Sequence, residues 1–286
     1  MKDRINSLTP FTQIIVFILI GGISFVLISI ISTLVVTAVY PEISTNNLDV
    51  LYDNYPVQFM FLYFLPFQIG FLLTPGLIYF LITRNQHSIF FQNRSIKWVA
   101  WSLLLFLSVF LLLPFFELIN ESITQYLGVY EVLVQEKQFS DAQLIRLIGK
   151  NASIEAYIIA IVVIGVVTGI AEEFAFRRFL FRHMLVHTNK LWLSVIGSAF
   201  VFALLHFNYI QFIPLMAFGI ALALMYHVSG SIWPGVVVHS LNNVLNVYWL
   251  RNENFPDWME SVHSEITIPS TLLLMGLIWV KYLKKQ

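Results

Sequence analysis

Residues 154–178 read IEAYIIAIVVIGVVTGIAEEFAFRR. Between Glu155 and Glu172 this stretch carries no charged residue, and it ends in two adjacent glutamates followed by two arginines. A helix needs about 20 mostly apolar residues to cross the roughly 30 Å of hydrocarbon in a bilayer. The stretch therefore predicts a membrane-spanning helix with a cluster of ionisable side chains at one end.

The rest of the chain has the same apolar character. Of its 286 residues, 58% are hydrophobic and 11% are charged, whereas soluble domains carry about 25% charged residues. We therefore predict an all-α polytopic membrane protein with about eight transmembrane helices. The predicted spans are residues 12–38, 57–82, 98–118, 154–174, 192–209, 211–228, 232–250 and 267–281. Between the third and fourth spans, residues 120–153 are expected to form either short amphipathic helices at the interface or a connecting loop.

The basic residues predict the orientation of the chain. If the N-terminus is cytoplasmic, alternating loops place twelve of the sixteen Lys and Arg residues inside, the bias that the positive-inside rule describes. Both termini are thus predicted to be cytoplasmic, and the plasma (inner) membrane is the expected location. Because 16 basic residues balance 16 acidic ones, nothing indicates a nucleic-acid partner. No repeat or linker divides the chain, so residues 1–286 are predicted to form one membrane domain.

Ionisable side chains inside the predicted spans are rare and therefore informative. Each one costs at least about 2.5–3.5 kcal/mol on insertion scales. In the fourth span, Arg177 lies four residues after Glu173 and can pair with it on one helix face. Glu172 is then expected on a different face, free of that pair. For this cluster alone, interfacial salt bridging would be about as good an explanation as function.

The other polar candidates lie in the fifth and seventh spans. His206 is in the fifth, and His239 and Asn243 are four residues apart in the seventh, hence on one helical face. Either histidine alone is more simply explained as a packing residue that bonds to a neighbouring helix. Together with Glu172 they could converge from three helices on one site. The absence of cysteine excludes a thiolate nucleophile, and no Gly-x-Ser-x-Gly or His-Glu-x-x-His pattern occurs.

Three short patterns follow one another on these spans: Glu-Glu-x-x-x-Arg, Phe-x-x-x-His and His-x-x-x-Asn. The residues that match are Glu172, Glu173, Arg177, Phe202, His206, His239 and Asn243. One such pattern recurs by chance, but three in this order are specific. Over residues 154–250 the chain resembles the CAAX-protease and bacteriocin-processing family (CPBP or Abi) of intramembrane endopeptidases, which includes the type II CAAX prenyl proteases.

That resemblance implies roles for the matching residues. Glu172 would activate the attacking water, His206 would hold or polarise it, and His239 with Asn243 would stabilise the oxyanion. The second glutamate and the arginine of the first motif would support them. One glutamate and two histidines could equally hold a catalytic zinc-like divalent metal, so Glu172, His206 and His239 are also candidate metal ligands.

The resemblance also implies the partners of the protein. Membrane lipids surround it, and the substrate would be a prenylated or other membrane-associated peptide; processing of a leader peptide or immunity to a bacteriocin is equally allowed. The competing functions are a transporter or channel, a haem-binding electron carrier, and a non-catalytic scaffold. Straight spans would place Glu172 and His206 near opposite membrane surfaces. We therefore expect either that the fourth helix continues to about Met184 or that the fifth span is shifted, so that Glu172, His206 and His239 share one cavity.

Overall fold

The computed structural model describes residues 8–43, 48–83, 96–253 and 264–278. Within these ranges the regular structure is entirely helical. The helices are α1 (Pro10–Val39), α2 (Leu48–Asn54), α3 (Pro56–Ile78), α4 (Ile96–Phe110), α5 (Leu113–Tyr126), α6 (Tyr130–Ile148), α7 (Ile154–Thr188), α8 (Leu191–Leu204), α9 (Phe212–Ser229), α10 (Trp233–Asn252) and α11 (Ser264–Ile278).

Four of the described helical segments are long and apolar enough to cross a bilayer: α1, α3, α7, and α9 together with the turn that precedes it. The bent pair α4 and α5 would make a fifth. The prediction of a helical, multi-pass membrane protein is therefore confirmed, while the count of eight spans is not. The predicted last span, 267–281, extends beyond the described residues. Seven of the sixteen basic residues that predict the orientation also lie outside the described residues, and the orientation of the termini stays a prediction.

Three of the predicted boundaries were wrong, each for a local reason. The fourth span does not end at residue 174, because α7 continues for 35 residues to Thr188. The third is broken after Phe110 by a bend of 44°, and Pro114 occupies the first turn of the helix that follows. The fifth ends at Leu204, five residues early.

The hydrophilic stretch 120–153 is helical for most of its length. α5 extends to Tyr126, and α6 then runs as one 19-residue helix from Tyr130 to Ile148. The connection contains Gly128 with a φ of +71°, a left-handed conformation that glycine adopts without a steric penalty. Of the two expectations for this stretch, helices rather than a loop are observed.

The helices group into two compact units. The first contains α1, α2, α3, the C-terminal part of α6, α7 as far as Phe179, and α10 from Val236 onward. Its core is formed by fully buried side chains of α2, α3, α6 and α7, among them Leu51, Met60, Leu147 and Ala160. This unit contains the residues of the first and third sequence patterns.

The second unit contains α4, α5, α8, α9 and α11 together with the adjoining parts of α6, α7 and α10. Helix α9 is its centre, since it packs against α8, α4 and α5. Phe218 of α9 meets Phe106 of α4 edge to face, with ring centroids 5.4 Å apart. This unit contains Phe202 and His206, the residues of the second pattern. The prediction of a single domain over 1–286 stays a prediction.

Candidate active site

Two glycines on one face of α7 set its distance from α10. Gly165 and Gly169 are four residues apart, and a Cβ on Gly165 would lie 2.6 Å from the Val244 side chain. A Cβ on Gly169 would lie 2.8 Å from the Ser240 backbone nitrogen. Only glycine tolerates such an approach, and small residues four apart are a recurrent device of membrane helix pairs. The backbone next to His239 is thereby held against α7.

The two glutamates follow one turn further along α7, and His239 of α10 lies between them. Its Nδ1 is 3.0 Å from Glu173 Oε1, and its Nε2 is 3.5 Å from Glu172 Oε2. The three residues are 2%, 1% and 8% exposed, so none of these groups is well hydrated by bulk water. Because a carboxylate can only accept, Nδ1 carries the proton of the bond to Glu173.

Arg177 completes the cluster. Its Nη1 is 3.0 Å from Glu173 Oε1, the same oxygen that His239 contacts, and its side chain is 2% exposed. The predicted pairing of Glu173 with Arg177 is confirmed. We refer to Glu172, Glu173, Arg177 and His239 as the Glu–His–Arg cluster.

The prediction that Glu172 lies on a different helix face from the Glu173–Arg177 pair stays a prediction. Both glutamates reach His239, since the two ring nitrogens lie on opposite sides of one imidazole and can contact side chains that are adjacent in the sequence. The helix also changes from α to π geometry at Glu173, so its backbone hydrogen bonds there join residues five apart instead of four. Such wider turns in α-helices are frequent at functional sites.

The charges of the cluster constrain its protons. With a neutral imidazole, two carboxylates and one guanidinium leave a net charge of −1 in a buried place. In that form the Nε2 lone pair of His239 also faces Glu172 Oε2, which places two acceptors 3.5 Å apart. One proton between these two atoms turns them into a donor and an acceptor and makes the cluster neutral. A buried cluster is stabilised when its charges are paired in this way.

The remaining predicted site residues lie on α10 and just after α8. Asn243 is half-buried and follows His239 by one turn of α10. His206 belongs to the second unit, just after the last turn of α8, where its Nδ1 donates to the Phe202 carbonyl at 2.7 Å. The Phe202 ring lies against that imidazole with a centroid distance of 4.4 Å. The prediction that His206 shares a cavity with Glu172 and His239 stays a prediction.

Glu172 and His239 have a spacing that suits two ligands of one metal ion. Two ligands of a tetrahedral zinc lie roughly 3.3 Å apart, given zinc–ligand distances near 2.0–2.2 Å. The 3.5 Å between Glu172 Oε2 and His239 Nε2 is close to this spacing. In the part of the chain that the structure describes, however, no group of three His, Cys, Asp or Glu side chains is arranged to hold a metal ion. A divalent metal held by Glu172, His206 and His239 therefore stays a prediction from the sequence.

The structure adds residues that the sequence reasoning did not single out. Gly165 and Gly169 form the pattern Gly-x-x-x-Gly inside an apolar segment, a recognised signal for close helix packing. That signal would have predicted which face of α7 meets its partner helix. Ser240 follows from it, because Ser240 is the residue that packs on Gly169.

The fold and the site define a multi-pass helical membrane protein with a buried cluster of ionisable side chains. Residues 154–245 match the family model described as "Type II CAAX prenyl endopeptidase Rce1-like". This segment of the chain is thus similar to the CAAX protease family, and the predicted resemblance is confirmed over residues 154–245. All residues of the three motifs, from Glu172 to Asn243, lie inside the matched segment. No curated protein and no solved structure matches the chain significantly.

Proposed function

We propose that this protein is an intramembrane endopeptidase that hydrolyses a peptide bond of a membrane-associated substrate. The observation that carries the proposal is the Glu–His–Arg cluster, buried on two closely packed helices inside the segment that matches the endopeptidase family. Adjacent buried carboxylates are costly in a membrane protein, which favours a chemical use over a packing role.

Peptide hydrolysis requires a group that accepts a proton from water and groups that stabilise the developing oxyanion. Glu172 is the proposed base, since its carboxylate lies 3.5 Å from His239 Nε2 inside the segment that matches the endopeptidase family. It takes one proton as the water oxygen bonds to the substrate carbonyl. The same proton then passes to the leaving nitrogen when the carbon–nitrogen bond breaks.

His239 is the proposed oxyanion donor. With Nδ1–H held by Glu173, a proton on Nε2 is directed toward the side of the ring where Glu172 lies. Asn243, one turn further on α10, is proposed to supply a second donor through its side-chain amide. Removal of one such donor typically costs about 2.7–4 kcal/mol of transition-state stabilisation.

Glu173 and Arg177 are proposed to orient His239 and not to react. A carboxylate that holds Nδ1–H fixes the tautomer and the direction of the ring, as partners of functional histidines commonly do. Arg177 in turn balances the Glu173 charge at 3.0 Å. Glu172 is then the carboxylate proposed to accept the proton of water.

His206 is included because of its motif and its tautomer. Since Nδ1 donates to the Phe202 carbonyl, Nε2 of the neutral ring is an acceptor that could bind a hydrogen of the attacking water. Its place in the Phe-x-x-x-His pattern of the matched segment supports this role.

The proposed substrate is a peptide at or in the membrane, with a prenylated C-terminal peptide as the first candidate. The family description and the multi-pass fold both favour it. Cleavage of bacteriocin-like or leader peptides, and location in the plasma membrane, stay predictions from the sequence.

The proposal is tested by incubating the purified protein in detergent with quenched-fluorescent peptides, among them members with a prenylated cysteine near the C-terminus. The expected result is cleavage of membrane-associated members, with the cut mapped by mass spectrometry. A parallel incubation with a chelator distinguishes a metal-dependent reaction from one that uses Glu172 and water alone. Solute transport by liposomes containing the protein, without cleavage of any peptide, would favour a transporter instead.

A further inference from the structure

Asn120 of α5 is buried, with 3% of its surface exposed, and holds the turn that connects α8 to α9. Its Nδ2 donates to the carbonyls of Tyr209 and Ile210 at 3.2 and 2.8 Å. Its Oδ1 accepts from the backbone N–H of Ile213 at 3.0 Å. One side chain thus satisfies three backbone groups some 90 residues away in sequence.

The first residue that Asn120 contacts in this turn, Tyr209, follows His206 by three residues. At the end of α8 the backbone N–H groups of His206 and Phe207 reach back only three residues, with distances of 3.3 and 3.2 Å. Phe207 has a φ of +52°, a left-handed conformation that is unfavourable for a residue with a side chain. The chain after His206 is therefore held in an unfavourable conformation. The hydrogen bonds from Asn120 to the carbonyls of Tyr209 and Ile210 restrain it there.

A second set of contacts supports the same turn. Asn208, two residues after His206, donates through Nδ2 to Gln211 Oε1 at 2.9 Å. Gln211 in turn donates through Nε2 to Glu117 Oε1 at 3.4 Å, a longer contact to the same helix α5. The turn is thus fixed to α5 at two places one helical turn apart.

We infer that Asn120 is a positioning residue for His206, acting through the turn 207–211. The inference rests on the proposed function, because it concerns the geometry of a histidine assigned there to water binding. Asn120 does not touch the reacting atoms. It restricts the directions available to the chain after His206 and so limits how far the imidazole can move from its productive place.

The absence of cysteine allows a direct test of this restriction. A nitroxide attached to Phe207→Cys reports the mobility of the turn, and the label replaces a side chain that is 71% exposed. Asn120→Asp keeps the acceptor for Ile213 and removes both donated bonds. We expect a more mobile label and a kcat reduced about 10- to 100-fold with little change in KM, as for a misplaced catalytic group.

Thr124→Val is the matched control. Thr124 is buried on the same helix, but its hydroxyl donates only to carbonyls of α5 itself, those of Asn120 and Glu121. Neither label mobility nor kcat should change in this variant. If Asn120→Asp does not fold, Gln211→Ala removes the second anchor and is expected to shift both readouts in the same direction.

The outcomes separate the two proposals. An unchanged label in Asn120→Asp, or a mobile label with unchanged kcat, would overturn the positioning role. Absence of peptide cleavage by the wild-type protein would instead overturn the proposed function, whatever the label shows.

Discussion

His239 Nδ1 and Glu173 Oε1 lie 3.0 Å apart, although 66 residues separate these two side chains in the sequence. The contact is made on helices whose spacing is set by Gly165 and Gly169, so packing and site geometry depend on each other. Arg177 shares the same glutamate oxygen. A change in any of these groups should therefore affect stability and catalysis together, to different degrees.

Arg177→Gln should strongly destabilise the protein. It leaves Glu173 as a buried carboxylate without its ion-pair partner, and breaking such a pair typically costs about 3–5 kcal/mol. The double variant Glu173→Gln with Arg177→Gln should recover part of this loss, because it removes both charges. Thermal unfolding in detergent, followed by circular dichroism, measures the four members of the cycle.

Arg178→Gln is the control for that cycle, since Arg178 is the adjacent arginine and is only half-buried. Its effect should be much smaller than that of Arg177→Gln. Strictly additive losses in the double variant would show that Glu173 and Arg177 are not energetically coupled.

Gly169→Ala should separate α7 from α10. The added Cβ would meet the backbone of Ser240 at 2.8 Å, and backbone cannot move aside as a flexible side chain can. Overpacking of this kind costs about 1–3 kcal/mol, and the displacement should also lower peptidase activity by moving His239. Melting temperature and kcat are the measurements.

Gly22→Ala serves as the comparison, because a Cβ at Gly22 of α1 meets nothing within 4 Å. This variant should be neutral or slightly stabilising, as alanine is the better helix former. Equal effects of the two substitutions would contradict the close approach at Gly169.

Arg146→Gln should loosen α2. Arg146 donates to both oxygens of Asp53, at 2.9 and 2.8 Å, and to Asp49 at 3.1 Å. Its hydrogen bond holds the pKa of Asp53 below the usual value of 3.8. The stabilisation is therefore complete above pH 3.8 and is lost as the pH falls through the lower folded-state pKa. Hydrogen exchange of residues 48–54 should be faster in the variant at neutral pH, and the difference from wild type should vanish in acid.

Lys150→Gln removes an exposed positive charge four residues further on and should leave that exchange unchanged. High salt should reduce the effect of Arg146→Gln, because exposed charge pairs are screened. Identical exchange in Arg146→Gln and wild type at neutral pH would show that these contacts do not restrain α2.

The sequence predicted the helical membrane class and the Glu173–Arg177 pair because both depend on local features: long apolar windows and an i,i+4 spacing. The sequence was less successful at predicting where a span ends. Hydropathy alone placed the end of the fourth span at residue 174, although α7 continues through its charged residues to Thr188. The expectation that this helix continues to about Met184, one of two alternatives drawn from the site residues, is confirmed.

The contacts of His239 with both glutamates could not be predicted from the sequence, for a physical reason. An ideal α-helix rotates about 100° per residue, so Glu172 and Glu173 were expected on different faces of the helix, and a shared histidine was not expected. The imidazole has two nitrogens on opposite edges, and each of them contacts one of the two glutamates. The residue types around Glu173 show no pattern that would predict the change to π geometry there.

The measurement that tests the central claim most directly compares wild type with Glu172→Gln on a prenylated or other membrane-associated peptide that the wild type cleaves. Glu155→Gln, an exposed glutamate at the start of the same helix, is the matched control. The account predicts that Glu172→Gln remains folded and loses about 100-fold or more of kcat, as expected for removal of a general base, while Glu155→Gln keeps its activity. A folded Glu172→Gln protein that cleaves as fast as wild type would contradict it.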